Sequence, residues 1–271
     1  MGRMPAVTDS MPADRSERSH YVRFPAPWVA GCSDTGQRHK TNQDAMCLAV
    51  RDEGRHAAML AVADGVTTAE GSEVASLVAA ETAVESLIEA HQNGQPTNLA
   101  FVHAFEAANQ AVLEAREEPS ACTLIAASIE DGTIAVGNVG DSRAYWLGDD
   151  GSCQLLSTDD SMAQARIMLG MSRDDAEQSS QAHAITKWLG RQSTNVTPSV
   201  ITLVPQTNGW LLMCSDGLWN YASSPEAMSG LFQSMLGRSP SPAFLAEALV
   251  EWANGQGGRD NITAVLARIE H

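Results

Sequence analysis

The sequence predicts an α+β domain layered about a core of two β-sheets, and three observations carry that reading. Short apolar runs of strand length recur along the chain, and Asp131-Gly132 places a two-residue hairpin turn between two of them. The helical stretches come in consecutive pairs instead of alternating with single strands. Hairpins make antiparallel sheets, and paired helices are then free to cover sheet faces.

Strand character is found at 29–32, 46–50, 57–63, 123–129, 133–139, 144–147, 201–204, 210–214 and 262–269. Helical periodicity runs through 72–91, where Val74, Leu77, Val78, Val84, Leu87 and Ile88 share a face, and through 98–115 with Leu99, Val102, Val112 and Leu113. Two more helices start at Pro225 and Pro242, each after a serine, Ser224 or Ser241, able to cap the first free amides. Phe244, Leu245, Leu249 and Trp252 give the last of these an apolar stripe. Residues 158–190, rich in Ser, Gln, Asp and Met, fit neither period and read as a partly helical, mobile surface segment.

The 271 residues suit one large domain, because the candidate site residues are spread so widely that no cut leaves a complete site in either piece. Residues 1–20 are polar, lack the apolar core of a secretory signal and read as a disordered leader before a single domain spanning 21–271. No apolar run approaches the ~20 residues of a membrane span, so a soluble, cytoplasmic monomer is expected. Lys and Arg total 17 against 33 Asp and Glu, a formal charge of −16, which argues against nucleic acid as a partner. The five cysteines show neither paired zinc spacing nor a disulfide framework, so buried reduced thiols are expected.

Four aspartates share one local grammar, each at the end of an apolar run with a small or turn-forming residue after it. They are Asp64 in AVADGV, Asp141 in GNVGDSR, Asp216 in LLMCSDGLW and Asp260 in GGRDNIT. A strand end projects a carboxylate rigidly, and a following glycine lets the chain turn and can offer its carbonyl as a further oxygen ligand. All-oxygen donors suit hard cations such as Mg²⁺ and Mn²⁺, two of which can activate a shared water. Taken singly, each Asp-Gly is an ordinary turn; the weight lies in the set.

With these residues in view, the chain resembles the metal-dependent protein phosphatases of type 2C, in a bacterial-like form. The resemblance runs in order across residues 28–270, through SDTGQRHKTNQDA (33–45), VADG (62–65), GNVGDSRAYWL (137–147), CSDGLW (214–219) and RDNIT (259–263). It implies a four-layer αββα sandwich, two central antiparallel sheets flanked by helices, with a short mobile flap at 161–181. It also implies hydrolysis of phosphoserine and phosphothreonine in proteins by a hydroxide bridging two divalent cations, Mn²⁺ or Mg²⁺, alongside a weaker third. On that resemblance Asp64 bridges both cations, Gly65 gives its carbonyl to one, and Asp216 and Asp260 complete the other. Asp141 helps hold the third and Asp44 acts beside the ligands. Phosphorylated proteins, and a cognate Ser/Thr kinase sharing them, are the implied partners.

Several positions depart from the family pattern. His39 stands where an arginine often grips the substrate phosphate, with Arg38 or Lys40 able to compensate. Gln43 replaces a frequent Glu, Val66 a histidine of eukaryotic members, and Asp160 a common histidine. Cys122 is a candidate oxidation target near the site. Within the flap, Met162, Arg166 and Met168 could meet a phosphopeptide, or the methionines could pack on the core. Two other readings stay open at this point: a catalytically weak phosphoprotein-binding member of the fold, and a two-metal hydrolase of small phosphoesters.

Overall fold

A computed structural model describes residues 7–9 (backbone only), 18–51, 56–66, 69, 71–115 and 120–270. Strands β1 (Val7–Asp9), β2 (His20–Ala26), β3 (Val29–Asp34), β4 (Ala45–Arg51) and β5 (Ala57–Ala63) lead into the helix pair α1 (Ser72–Gln92) and α2 (Thr97–Ala115). Then come β6 (Ala121–Cys122), β7 (Leu124–Glu130), β8 (Thr133–Val139), β9 (Arg143–Gly148) and β10 (Cys153–Leu155). Helices α3 (Met162–Met168) and α4 (Arg173–Glu177) precede β11 (Leu189–Gly190), β12 (Ser199–Leu203), β13 (Gly209–Cys214) and the single turn α5 (Asp216–Trp219). Helices α6 (Pro225–Leu236) and α7 (Pro242–Gly255) and strand β14 (Ile262–Ile269) complete the chain.

Two six-stranded sheets form, ordered β1-β4-β5-β7-β8-β12 and β10-β9-β13-β14-β3-β2. Every named pair is antiparallel, and Asp131-Gly132 turns β7 into β8. Helices α1 and α2 pack on each other and α1 on the first sheet; α6 and α7 lie on the second, so the layers run αββα. Period-two alternation sorts β13 and β14 between two cores. Leu211, Met213, Val265 and Ala267 join the first sheet, while Leu212, Cys214, Ala264 and Leu266 face Phe232, Leu245 and Leu249 of the outer helices.

The structure departs from the sequence reading in three places. The buried face of α1 is Ala75, Ala79, Ala80, Ala83, Val84 and Leu87, whereas Val74, Leu77, Val78 and Ile88 are only half-buried. Alanines let the helix lie close to the sheet and to α2, which a search for large apolar residues misses. Second, the expected leader is partly built into the domain. β1 pairs with β4, β2 begins at His20, and Arg18 is 6% exposed, its guanidinium donating to the carbonyls of Asn42, Asp44 and Glu73. A guanidinium that ties three carbonyls is anchored however polar its neighbours are; residues 1–6 and 10–17 lie outside the described residues. Third, Ser224 caps α6 by accepting from the Ala227 amide, but the Ser241 side chain makes no such bond.

The 158–190 segment is partly helical, as expected. Ser161 and Ser172 accept from the amides of Gln164 and Asp175 to start α3 and α4, and Ala163, Ala176 and Ala182 make a small core of its own. Among the described residues no helix is long and apolar enough to cross a membrane.

Candidate active site

The site grows from one edge shared by the two sheets. Asp44 immediately precedes β4, Asp64 follows β5, and Asp141 lies in the turn between β8 and β9, which belong to different sheets. From the second sheet, Asp216 opens α5 just past β13, and Asp260 stands two residues before β14. Two glycines make the approach of these turns possible. A β-carbon on Gly217 would collide with the Asn261 carbonyl, and one on Gly65 would lie 2.7 Å from the Gln43 oxygen and 2.8 Å from that of Ser72.

Asp44 is fully buried, and its Oδ2 accepts from Ser215 Oγ and Thr263 Oγ1, each at 2.7 Å. Burial pushes its carboxyl up to about 6, with the two hydroxyls opposing the rise and Asp260 adding to it. Burial likewise drives Asp141 to about 7, reinforced by Asp159 and opposed by Arg143. Asp64 is held well above the usual carboxylate range by burial first and then by the charges of Asp44, Asp216, Asp141 and Asp260. Asp216 is raised by burial and by Asp141, Asp260 and Asp44. Each of these four carboxyls therefore resists ionising beside the others.

Two oxygens in the cluster, Asp44 Oδ1 and Asp216 Oδ1, are shielded from solvent without a hydrogen-bond partner. A buried acceptor left unpaired is costly, and a cation satisfies it while neutralising its neighbours. The donors are all oxygen, which suits Mg²⁺ or Mn²⁺ and not zinc. Among the described residues no three acidic, histidine or cysteine side chains form a ready-made metal cage. The fit thus rests on donor chemistry and charge, and such cations commonly keep several waters in their shell.

His39 is at the cluster, its Nε2 3.3 Å from Asp260 Oδ1, whereas Arg38 and Lys40 are exposed on the same loop. Gln43 is turned away from a ligand role, its amide donating to Ser72 Oγ. A cleft of about 480 Å³ opens beside Asp260, lined by Gly217, Asn220, Tyr221, Gln256, Arg259 and His183. In the flap segment Arg166 is bonded to Ser179 Oγ and to the Ser180 carbonyl. Met168 is 76% exposed and Met162 half-buried. Asp160 Oδ2 accepts from the Gly140 amide at 3.0 Å and so braces the turn that carries Asp141. Cys122 does not fit the expectation of an oxidation target: it is fully buried, and burial, with Asp64 nearby, pushes its thiol far up, leaving little thiolate.

Other residues of the site were not singled out in the sequence. Ser215 and Thr263 orient Asp44, and Asn261 accepts from the Gln43 amide while donating to the carbonyls of Thr35 and Thr41. Ser215 and Asn261 each adjoin a candidate site aspartate in CSDG and RDNIT, a signal the sequence did offer, whereas Thr263 stands three residues beyond Asp260. Arg143 and Trp219 also matter: the guanidinium holds Asp159 through Nε and Nη2 and lies 3.6 Å from the Trp219 ring centroid. The Trp219 indole N–H donates to the Asp141 carbonyl at 2.9 Å.

A two-sheet sandwich with a nest of crowded carboxyls at one edge has the donor chemistry of a site for hard divalent cations. The family model described as "Protein phosphatase 2C" matches residues 35–254, and the chain belongs to that family. Protein phosphatase PhpP of Streptococcus pneumoniae is 30% identical over 244 residues, covering 86% of this chain and 94% of that protein. The crystal structure of the Mycobacterium tuberculosis serine/threonine phosphatase PstP/Ppp superposes with a TM-score of 0.72 at 28% identity, over 92% of this chain and 99% of that one. The PstP catalytic domain in complex with two manganese ions gives a TM-score of 0.67 at 26% identity, over 92% and 99% of the two chains. The protein is a type 2C Ser/Thr protein phosphatase, and its αββα layering is that of the family.

Proposed function

We propose that this phosphatase depends on two divalent cations, Mn²⁺ or Mg²⁺, held by Asp64, the Gly65 carbonyl, Asp216 and Asp260, with Asp141 helping to hold a weaker third. The observation that carries the reading is the pair of buried, unpartnered oxygens of Asp44 and Asp216 within a cluster that raises its own pKa values. The manganese ions of the PstP catalytic domain support it. Bound there, the cations supply an activated water and neutralise phosphate charge.

The chain's own groups do the rest. Asp44, fixed by Ser215 and Thr263, presents Oδ1 to the interior of the cluster as a proton acceptor or a water anchor. His39, against Asp260, stands to donate to a phosphate oxygen, and Arg38 offers a second, more exposed cation for the same task. The cleft running from Asp260 to His183 receives the polypeptide that carries the phosphoserine or phosphothreonine. We place the protein in the cytoplasm as a monomer that opposes a Ser/Thr kinase in signalling; the acidic chain disfavours nucleic acid as a partner, and no membrane role is assigned.

The test is phosphate release from a phosphothreonine peptide with Mn²⁺, with Mg²⁺ and with EDTA, for wild type beside Asp216→Ala. Turnover that needs the cation and is lost in the variant supports the assignment. Full activity in EDTA would end it.

A further inference from the structure

Arg143 is a fixed post beneath the site. Its side chain is 2% exposed, it grips Asp159 at 2.7 Å, and its Nη1 donates to the Ser223 carbonyl at 2.8 Å and to Ser223 Oγ at 3.2 Å. One more group reaches this post from outside the core. Glu177, the last residue of α4, places Oε1 3.6 Å from Arg143 Nη2, accepts from Ser223 Oγ at 2.5 Å and from Arg173 Nη1 at 2.9 Å. Burial pushes its carboxyl up, but the Ser223 hydroxyl, Arg173 and Arg143 together outweigh that and hold it below the usual range.

The contact spans a gap in the packing. A cavity of about 170 Å³ lies here, with Asp174, Glu177 and Gln178 on the flap side and Trp219, Asn220 and Ser223 on the core side. His183 lines both this cavity and the 480 Å³ cleft at Asp260, and its ring centroid is 6.0 Å from that of Trp219. Where apolar packing is interrupted, polar bonds set the position of the segment.

Resting on the phosphatase reading above, we propose that Glu177 is a positioning residue for protein substrates. By fastening α4 to Arg143 and Ser223, it sets where His183 stands at the mouth of the cleft, and so governs affinity for a phosphopolypeptide but not the hydrolysis of a small phosphoester. Arg143 keeps Asp159 when Glu177 lets go, so the latch opens without unfolding the core.

The test compares wild type, Glu177→Ala and Glu177→Gln with Mn²⁺, on a phosphothreonine peptide and on p-nitrophenyl phosphate, beside limited trypsin cleavage at Arg166 and Arg173. In Glu177→Ala, KM for the peptide rises about fivefold, the loss of one or two charge-assisted bonds. Its kcat and its turnover of p-nitrophenyl phosphate stay at the wild-type level, cleavage within the flap accelerates, and Tm is unchanged. Glu177→Gln, which keeps an acceptor for Ser223, recovers part of the KM. Equal effects on both substrates, or unchanged peptide KM and cleavage in an active enzyme, would overturn the latch. A wild type inert on both substrates would instead remove the phosphatase reading on which it rests.

Discussion

At the scale of single residues, the site is a problem of charge held in place by neutral donors. Asp44 has one oxygen satisfied by Ser215 and Thr263 and one left bare, so the two hydroxyls fix the direction in which the bare oxygen points. Thr263 itself meets Ser33 Oγ at 2.8 Å, which locks its rotamer. Thr263→Val keeps the shape and removes the donor. Partners of this kind tune metal affinity by about 10–100-fold when lost, so Mn²⁺ titrated calorimetrically into Thr263→Val should bind at least ~10-fold more weakly than to wild type. Unchanged affinity would mean that Asp44 does not face the cations. His39 invites the opposite change. A guanidinium is always charged and can grip two phosphate oxygens where an imidazole grips one, so His39→Arg should lower KM for a phosphopeptide about threefold. An unaltered KM would take this position out of phosphate recognition.

Among the elements, what could be read from sequence depended on how large a residue each used to mark its buried face. The core strands announce themselves because β5 and β13 are buried along their whole length and rich in apolar side chains. The buried side of α1 is written mainly in alanine, so its period is visible only once the partner sheet is known. Helices α3, α4 and α5 are at most seven residues long, too short to show a helical period. The close fit of α1 makes a prediction. Ala79 is fully buried on that face, so Ala79→Leu must displace the sheet or α2 and should cost about 1–3 kcal/mol in urea denaturation. A neutral result would show that the layer has slack that the structure does not display.

Over the whole molecule, four of the candidate site aspartates, Asp64, Asp141, Asp216 and Asp260, were legible because each stands beside the end of an apolar run next to a turn, whereas Asp44 was marked only by the family resemblance; folding gathers these turns at one edge. The bonds that tie Arg18 to Asn42, Asp44 and Glu73 were not legible, since a contact between residues 24 to 55 positions apart leaves no local pattern. The gathered charge makes stability depend on pH and on cations together. Asp44 and Asp141 titrate near 6 and 7 in the folded chain against 3.8 when free, so the metal-free folded state binds more protons than the unfolded one between those limits. A raised carboxylate pKa contributes stability at low pH that is lost as pH rises through the folded value. The metal-free protein should therefore lose thermal stability as pH rises above about 4, Asp44 contributing to the loss up to about pH 6 and Asp141 up to about pH 7. On the proposed assignment cations bind the ionised form of the cluster, so the gain in Tm from Mn²⁺ over EDTA should be small at about pH 5 and largest above about pH 7. Asp44→Asn removes one of the titrating groups and should flatten the EDTA curve. A gain independent of pH, or an EDTA curve that the substitution leaves unchanged, would show that the buried carboxylates are not what the cation relieves.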